Sequence, residues 1–538
     1  MRLGFSIGLA LLFVAALLWG LQGATPAHAD PGTLYVDGAT GSDTTDCTTQ
    51  ATPCATIGYA LTQAANGDEI RVAEGTYMET LGIGITVTLK GGYVISGTAW
   101  LPRAGDTIID ANGADNQVIL ITPGANVTIE GFTVQGANHT SDVGGGFFIV
   151  GATVVISDTV VRNNSAQSGG GVYAEGNTNV SLINSTFTAN AAGGGASGLA
   201  GGVLGYVVIQ NTVFTENTGD SVLWVESGQP FEIIGGQVVS NTVSGYTVIN
   251  IRDSGTISGT AVLSNTSTSV AIATGPSSSV SAHGLIVRNN VGGIASSSVL
   301  TITNSVIENN SGGTHTAVGS ENFSETNRLV MDGCTIRGNS TPHIVRITTG
   351  YAEIRNTKIV DNDPTASVIG IGEAGTTPNV KMINVLLANN ETPLSPIVFG
   401  SDTGTTTMMN VTLAGNVSDN PPVFTQGVMM TLTNTIVWGN TTSADMLGGP
   451  GTISVSYSNI ENGWPGTGNL DADPRFVDAA NGDYHLGVGS PCVDKGTLVG
   501  APTHDIEGTL RDAAPDMGAY EWTGFRIFLP LVLRNFGH

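Results

Sequence analysis

A small group of charged residues offers the most reactive side chains in this sequence. Glu308, Arg337 and Asp361 occupy similar positions in neighbouring copies of a repeat, and Lys358 lies nearby. Carboxylates beside an Arg or Lys could hold a calcium ion and abstract a proton next to a carboxyl group. The competing interpretation is a row of surface ion pairs. The sequence favours the ion pairs, because no acid stands at the Glu308 position in the preceding or following copy.

An acidic stretch near the carboxyl end contains a second set of candidate ligands. Asp471, Asp473 and Asp478 lie there among many other carboxylates, so oxygen ligands for Ca²⁺ are plentiful. The stretch has neither an EF-hand nor a nonapeptide calcium loop, and Asp before Pro or Gly is ordinary turn chemistry. We therefore expect these residues to be structural and the protein to need no cofactor, with Ca²⁺ as the alternative.

Several aromatic residues and histidines are harder to place from sequence. Trp438, Trp464 and Tyr351 could stack on sugar rings. His315 and His343 fall in predicted loops near the Glu308 group, and we expect them to be solvated. The sequence alone joins neither set into a site.

The composition limits which partners the protein can have. The chain has 18 Lys and Arg against 43 Asp and Glu, a formal net charge of −25. This charge argues against nucleic acid and anionic membranes, and it would repel a polyanion unless a cation bridged the two. The 75 glycines and the low charged fraction of 11% indicate many short strands and turns.

Both ends of the chain and its four cysteines bear on export. Residues 3–21 are apolar and an Ala-x-Ala pattern ends at Ala29, which predicts a cleaved signal peptide, with an uncleaved anchor as the alternative. Cys47 and Cys54 are close enough in sequence for a loop disulfide in an exported protein. Cys334 and Cys492 could be paired or free.

The most regular feature of the sequence is a repeat of about 25 residues, a period typical of solenoids. Each copy has apolar residues at positions −2 and +3 and often asparagine at position 0. One copy departs from this pattern, with Ser281 at −2 and His283 at 0. Asparagine stands at position +6 in every copy, at Asn164, Asn190, Asn217, Asn241, Asn265, Asn289, Asn310, Asn339, Asn362, Asn390, Asn416 and Asn440.

This repeat predicts one coil of a parallel β-helix per copy. Residues −4, −2 and 0 share one face of a strand, and the next inward residue falls at +3, so the chain must turn a corner after position 0. Asparagine suits both corners because it tolerates left-handed backbone angles, and stacked amides can hydrogen-bond from coil to coil. The +6 asparagines are therefore expected to be structural. Leucine-rich repeats have a similar period but need leucines that are absent here.

The chain divides into five predicted segments. Residues 57–65 have apolar groups at helical spacing and predict a short helix that covers the first coil. The segments are a signal peptide at 1–29, an N-terminal cap at 30–66, a parallel β-helix at 67–465, a C-terminal capping module at 466–522 and an apolar tail at 523–538. The tail is too short to span a bilayer, so it is a final strand or a sorting signal.

The I-x-N-x-x-V-x-x-N coil resembles the right-handed parallel β-helix proteins of the pectate-lyase-like superfamily over about residues 33–465. VGGGFF at 143, SGGGVY at 168 and FTEN at 214 also resemble polymorphic outer membrane proteins, which are surface adhesins, although few copies match. The segment with DPRFVD and PDMGAYE is similar to the anchor-associated module that follows bacterial surface β-helices, except that Cys492 replaces a small apolar residue.

The resemblance implies a bacterial protein that is secreted or held at the cell surface. The elements N-T-D, D-D, G-H-G and R-I-K of polygalacturonases are absent, and His283-Gly284 is a lone fragment of one. We therefore expect a monomeric, non-catalytic stalk, adhesin or polysaccharide-binding surface, not an integral membrane protein after processing. The alternative is a polysaccharide lyase or glycoside hydrolase that uses Glu308, Arg337 and Asp361.

Overall fold

The computed structural model describes residues 31–102, 105–202, 205–226, 228–245, 247–313, 316–320, 326–373, 375–392, 395–401 and 403–524. The predicted signal peptide, most of the apolar tail and His315 lie outside these residues. No helix in the described part of the chain is long and apolar enough to cross a membrane.

One coil shows how the repeat folds. Val207–Gln210 forms the first strand, Asn211 turns the first corner, and Val213–Thr215 forms the second strand. After a second corner the chain forms the short strand Thr218–Gly219 and then Ser221–Val225. Each strand pairs in parallel with its equivalent in the next coil, and crossovers between parallel strands are right-handed. The predicted right-handed parallel β-helix is confirmed, with about 14 turns.

The first two strands of each coil belong to one 32-stranded sheet. Its strands are Thr33–Val36, Glu69–Ala73, Gly75–Tyr77, Val87–Ser96, Ala99–Leu101, Thr107–Asp110, Asn126–Glu130, Thr133–Gln135, Thr153–Ser157, Val160–Arg162, Asn179–Ile183, Thr186–Thr188, Val207–Gln210, Val213–Thr215, Phe231–Ile234, Gln237–Val239, Gly255–Ser258, Ala261–Leu263, Ser279–His283, Ile286–Arg288, Val299–Thr303, Val306–Glu308, Arg328–Asp332, Thr335–Arg337, Tyr351–Val360, Asn379–Ala388, Thr405–Met409, Thr412–Ala414, Met429–Thr433, Ile436–Trp438, Ile453–Ser456 and Asn459–Ile460.

The last strand of each coil belongs to a 15-stranded sheet. Its strands are Leu81–Ile83, Ile119–Ile121, Phe147–Val150, Val172–Glu175, Ala196–Gly202, Ser221–Val225, Thr247–Ile251, Val270–Thr274, Ile294–Ser296, Val318–Ser320, His343–Ile347, Ser367–Ile371, Val398–Gly400, Val423–Thr425 and Leu447–Gly448.

Smaller elements complete the fold. A 5-stranded sheet follows the second corner and contains Asn138–Val143, Ser165–Ser168, Ala191–Ala192, Thr218–Gly219 and Thr242–Val243. The remaining elements are the strand pairs Glu391–Thr392 with Val417–Ser418 and Phe476–Asp478 with Asp483–Leu486, the helix Ile57–Gln63 and the 3₁₀ turn Ala479–Asn481.

Inward side chains from all faces form one continuous core along the axis. Equivalent residues stack from coil to coil, as Phe187 does on Phe214 with 5.0 Å between ring centroids. Both rings are buried, and burial of such side chains supplies most of the stability of a solenoid.

The two corners use asparagine in different ways. At the first corner Asn184 and Asn211 have φ of 50° and 48°, the left-handed region that asparagine tolerates. At the second corner the left-handed residue is the one at +5, such as Glu216 with φ of 57°. The prediction that the +6 asparagine itself makes this turn is therefore wrong, because its side chain must point into the protein interior.

The +6 asparagines form a buried ladder of hydrogen bonds. Asn217 Oδ1 accepts from the backbone N–H and the side-chain amide of Asn190, at 3.0 and 3.2 Å. Its own Nδ2 donates to Asn241 Oδ1 at 3.0 Å and to the Phe187 carbonyl at 2.9 Å. The ladder runs through Asn164, Asn190, Asn217, Asn241, Asn265, Asn290, Asn310, Asn339, Asn362, Asn390, Asn416 and Asn440.

One predicted ladder residue is replaced by its neighbour, because the irregular copy was aligned one residue too early. Asn290 occupies the ladder, while Asn289 makes the left-handed turn before it with φ of 57°. Likewise Gly284, with φ of 61°, makes the first corner in place of His283. This correction shifts Arg288 into the outward column that contains Glu308, and the strand pairing places the two residues in register.

A short helix packs on the amino-terminal part of the core, and it is shorter than the sequence predicts. It spans Ile57–Gln63 instead of 57–65, and the Thr56 hydroxyl caps it by accepting from the Tyr59 N–H at 3.2 Å. Ile57 is buried in the main core. Cys47 and Cys54 form a disulfide in the preceding loop.

The C-terminal module lies along the side of the β-helix, which differs from the predicted cap. Ile460 and Trp464 are the last residues packed on the main core, while the module forms separate clusters. Its Tyr484 and Ile506 pack with Leu386, an outward residue of the Asn379–Ala388 strand. Outward apolar side chains on these late coils attract the module to the flank.

Corner asparagines of the late coils hold the module by its main chain. Asn384 Nδ2 donates to the His504 carbonyl at 2.7 Å, and Asn434 Nδ2 donates to the Thr497 carbonyl at 2.8 Å. Cys334 and Cys492, whose pairing the sequence left open, are both free and buried, one in the main core and one beneath the module. Burial raises the pKa of these thiols to about 11 and about 12, so both stay protonated.

Candidate functional site

The outward face of the 15-stranded sheet presents a row of aromatic side chains. Successive residues of a strand point to opposite faces, so Val172 and Ala174 enter the core while Tyr173 faces outward. Strand pairing places Tyr173 in register with Phe148 of the preceding coil and Ala200 of the following coil. Trp224 lies in the next coil, where its strand pairs with the strand of Ala200.

A trough separates Tyr173 from Trp224. Its volume is about 260 Å³, and its lining is completed by Ser168, Gly194, Gly195, Ala200, Gly201, Gly202 and Glu226. A Cβ added at Gly194 or Gly202 would meet no atom within 4 Å. The small residues of the intervening coil therefore leave open space between two aromatic walls.

Polar contacts fix the Trp224 wall. Its indole Nε1 donates to Glu226 Oε2 at 3.1 Å. The Arg252 guanidinium lies 5.4 Å from the indole ring centre, within cation–π range, and its Nε donates to Asn250 Oδ1 at 3.1 Å. The ring is thus oriented before any ligand arrives, which lowers the entropy cost of binding.

The Tyr173 wall is set by its neighbours in the same way. Phe148 packs edge-on against it with 5.8 Å between ring centroids. Partial burial, with the nearby carboxylates of Glu175 and Asp142, raises the pKa of Tyr173, so the hydroxyl is neutral and can donate. The trough combines two aromatic rings, a hydroxyl and carboxylates, which are groups that contact sugar rings and their hydroxyls.

The same outward row continues to the far end of the sheet. Phe399 and Phe424 stack there with 6.1 Å between ring centroids. Between the two aromatic groups the row contains two polar residues, Asn250 and Arg346, and otherwise small ones, namely Ala273, Ala295, Gly319 and Gly370. The sheet therefore offers one long outer face with an aromatic group towards each end.

Two of the three candidate catalytic residues, Glu308 and Arg337, form an ion-pair row with Arg288. Glu308, only 2% exposed, accepts from Arg337 Nε at 2.6 Å and from Arg288 in the other adjacent coil. Burial opposes its ionisation, but the hydrogen bonds and charges of Arg337 and Arg288 outweigh burial and lower the pKa of Glu308. A carboxylate held by two guanidiniums is not available as a general base.

The other members of that group lie elsewhere. Asp361 makes a left-handed corner with φ of 56°, and Val360 is the residue in register with Arg337. Lys358 pairs with Glu507 of the module at 3.0 Å and lies 5.7 Å from the centre of the Tyr520 ring. The structure does not bring Glu308, Arg337 and Asp361 together as one catalytic set.

The three carboxylates considered as calcium ligands each accept a hydrogen bond from a nearby residue. Asp471 accepts from the Asn462 N–H at 3.1 Å, and Asp473 accepts from the Arg475 N–H at 2.8 Å. Asp478 accepts from the Asn481 side chain at 2.7 Å. Within the residues that the structure describes, no three His, Cys, Asp or Glu side chains are grouped as metal ligands would be.

The remaining sequence candidates take structural positions. His343 begins a strand of the 15-stranded sheet instead of lying in a loop, and burial lowers its pKa to about 4, with Arg346 adding to the effect. Tyr351 lies between Arg328 and Lys381, 5.3 and 5.9 Å from its ring centre. Trp464 packs on the end of the core and lines a cavity of about 240 Å³ there, and Trp438 lines a cavity beside the module.

Sequence reasoning missed Tyr173 and Trp224. The signal was present as an aromatic residue between two inward positions in VYAE and VLWV. The sequence does not show that Tyr173 and Trp224 lie in one outward row. Their register depends on the loops between the ladder asparagine and the last strand of each coil, and these loops differ in length.

No family model and no curated protein sequence matches the chain. Among solved structures it is similar to the pectate lyase Pel9A, at 13% identity and a TM-score of 0.29 over 92% of this chain and 97% of that one. It is also similar to a rhamnogalacturonan lyase, at 12% identity and a TM-score of 0.23 over 90% and 95% of the two chains. A third similar structure is the GH136 lacto-N-biosidase from Eubacterium ramulus, at 10% identity and a TM-score of 0.25 over 79% of this chain and 68% of that one. These likenesses say nothing about the activity of this chain.

Proposed function

We propose that this protein is an exported, non-catalytic β-helix that binds a neutral polysaccharide along its 15-stranded sheet. The observation that carries the proposal is the trough between Tyr173 and Trp224 with Ala200 at its base. Apolar faces of sugar rings stack on aromatic side chains, while hydroxyls hydrogen-bond to carboxylates and amides at the edges. Glu226 and Asn250 lie at the Trp224 edge of the trough and supply a carboxylate and an amide that can bond to sugar hydroxyls.

The spacing of the walls suits an extended chain that runs parallel to the helix axis. Tyr173 and Trp224 are two coils apart, and adjacent strands are about 4.8 Å apart, so the walls are about 10 Å apart. Consecutive sugars of an extended polysaccharide can then contact consecutive coils. The length of the sheet would let one polymer touch both aromatic groups.

The charge of the site selects against anionic polymers. Glu175 and Glu226 lie beside the aromatic walls, Arg252 is engaged with Trp224 and Asn250, and the whole chain has a net charge of −25. A polyanion would meet repulsion at the site and at long range. Export is supported by the predicted signal peptide and by the Cys47–Cys54 disulfide, which persists in oxidising compartments.

The proposal is tested by affinity electrophoresis in gels that contain neutral soluble polysaccharides such as xylan, glucomannan and mixed-linkage glucan. We expect at least one to retard the protein and Trp224→Ala to weaken that binding about tenfold, equivalent to about 1.4 kcal/mol. Trp522→Ala, a change at an exposed tryptophan of the module, is the matched control. Equal retardation of the wild type and Trp224→Ala would refute the site, and release of reducing or unsaturated ends that Arg337→Ala abolishes would refute the non-catalytic assignment.

A further inference from the structure

A second cavity lies where the C-terminal module meets the side of the β-helix. We call it the module cleft, and its volume is about 540 Å³. Its lining includes Asn389, Gly415, Trp438, Asp473, Arg475 and Tyr484. It is therefore shared between three late coils and the module, and it is distinct from the trough on the 15-stranded sheet.

The aromatic side of the cleft is rigid. Trp438 is the outward end of the Ile436–Trp438 strand and packs partly on the cluster beneath the module. Phe476 and Tyr484 come from the paired strands of the module and meet edge to face at 5.2 Å. The Tyr484 hydroxyl donates to Asn389 Oδ1, which ties the module to the coil.

Glycine at a corner permits this close approach. A Cβ at Gly415 would lie 2.3 Å from the Tyr484 hydroxyl oxygen, and the left-handed φ of 67° at this position also favours glycine. The coil and module are thus fitted to each other, so the cleft has a fixed width.

The polar side of the cleft contains a free cation. The Arg475 side chain is exposed and makes no ion pair or hydrogen bond with another residue that the structure describes. Its backbone is anchored, because its N–H donates to Asp473 Oδ1 at 2.8 Å and its carbonyl accepts from the Gly487 N–H at 2.7 Å. In a chain with 43 acidic and 18 basic residues, an unpaired guanidinium in a cavity marks a place for an anionic group.

We propose that the module cleft binds a sugar that carries a carboxylate. Arg475 pairs with the carboxylate through two parallel N–H···O bonds, a geometry that a guanidinium provides and an ammonium does not. The Trp438 indole stacks on the sugar ring, and the Asn389 amide and the Asp473 carboxylate bond to its hydroxyls. The volume of the cleft is sufficient for a ligand of one to two sugar rings.

This site and the trough differ in position and in the charge of the ligand. The trough is lined by the carboxylate of Glu226 and by no basic residue, whereas the cleft is lined by Arg475 beside Asp473. Failure of one proposal therefore leaves the other untouched, and variants at one site serve as controls for the other.

The test uses methyl β-glucuronoside and methyl β-glucoside, which differ only in the carboxylate, and the processed full-length protein. Saturation-transfer-difference NMR titrations should show binding of the glucuronoside at least tenfold tighter than of the glucoside. Arg475→Gln should remove this preference, and Trp438→Ala should weaken both ligands. Lys495→Gln, at an exposed cation of the same module, and Trp224→Ala in the trough should change neither.

Two results would overturn the proposal. One is equal binding of the two glycosides by the wild type, or binding of neither, since the carboxylate would then have no partner in the protein. The other is an unchanged preference in Arg475→Gln. Because Trp438 also packs under the module, circular dichroism and thermal unfolding must show that Trp438→Ala is folded. If it is not, Arg475→Gln, an exposed substitution, decides the question alone.

Discussion

At the scale of single residues, the asparagines have two separate roles that the sequence pattern merges. Those at position 0 allow the left-handed backbone of the first corner, as Asn211 does with φ of 48°. Those at position +6 are buried, and their amides satisfy polar groups of the coils on both sides, as Asn217 does. A buried amide whose hydrogen-bond partners are all present rigidifies the fold. If one partner is removed, the buried donors and acceptors that remain have neither a protein partner nor water to bond to.

The neighbouring pair Asn289 and Asn290 gives a matched test of these roles. Asn290→Gly removes an amide that Asn265 bonds to and that itself bonds to Asn310 and the Val262 carbonyl, so it should lower the free energy of unfolding by about 3 kcal/mol. Asn289→Gly should change it by less than about 1 kcal/mol, because glycine accepts the left-handed φ of 57°. Urea denaturation compares the two variants, and equal losses would contradict the ladder.

At the scale of elements, a coil is defined by which residues its strands turn inward and which outward. The 15-stranded sheet turns apolar side chains inward, and its outward row includes the large rings of Phe148, Tyr173 and Trp224, with a small residue between the last two. Tyr173, Ala200 and Trp224 are consecutive members of that row. The trough arises because the middle strand has only small residues there, Ala200, Gly201 and Gly202. A larger side chain in this strand should therefore interfere with binding.

A side chain added to that strand should therefore block the trough without harming the fold. Gly202→Val places a β-branched residue in open space on the Ala196–Gly202 strand, and we expect it to abolish retardation by the polysaccharide in affinity gels. Gly82→Val makes the same change at an outward glycine of the Leu81–Ile83 strand, where a Cβ also meets nothing within 4 Å. Loss of binding in both variants, or in neither, would contradict the assignment of the trough.

At the scale of the whole molecule, the module turns back along the rod and covers its last coils. It buries outward apolar residues such as Leu386 and Ala414 and engages the corner amides Asn384 and Asn434. Inside the module, the Arg511 guanidinium pairs with Glu521 at 2.8 Å, and both are nearly inaccessible to solvent. The attachment therefore depends on a small buried network as well as on apolar contact.

This network should make the stability of the module depend on pH. Burial, with Glu521 and Asp494 nearby, raises the pKa of Asp516 from 3.8 to about 7. The folded carboxyl keeps its proton between these values while the unfolded one loses it, so stability is greatest below pH 3.8 for this group and declines as pH rises through 7. Thermal unfolding of the wild type and Asp516→Asn from pH 5 to pH 8 should show a larger decline in the wild type. Parallel curves would contradict this prediction.

The sequence by itself determined the coil. A period near 25 residues, apolar residues at −2 and +3 and asparagine at +6 leave few alternatives to a parallel β-helix, because each coil contacts only its neighbours and local pattern sets local packing. The N-terminal helix and the Cys47–Cys54 disulfide were readable for the same reason, since both involve residues close in the chain. The predicted register is one residue off in the copy of His283 and Gly284, because Asn289 and Asn290 are adjacent and the pattern does not say which of them enters the ladder.

Tertiary structure alone decided the sites and the place of the module. Tyr173 and Trp224 face each other across a coil whose loop lengths the pattern does not constrain, and Arg288 joins Glu308 only when the register is known. Asn384 meets His504 across 120 positions of the chain. Such contacts depend on how separate surfaces fit, and side-chain period carries no information about a surface that lies more than one coil away.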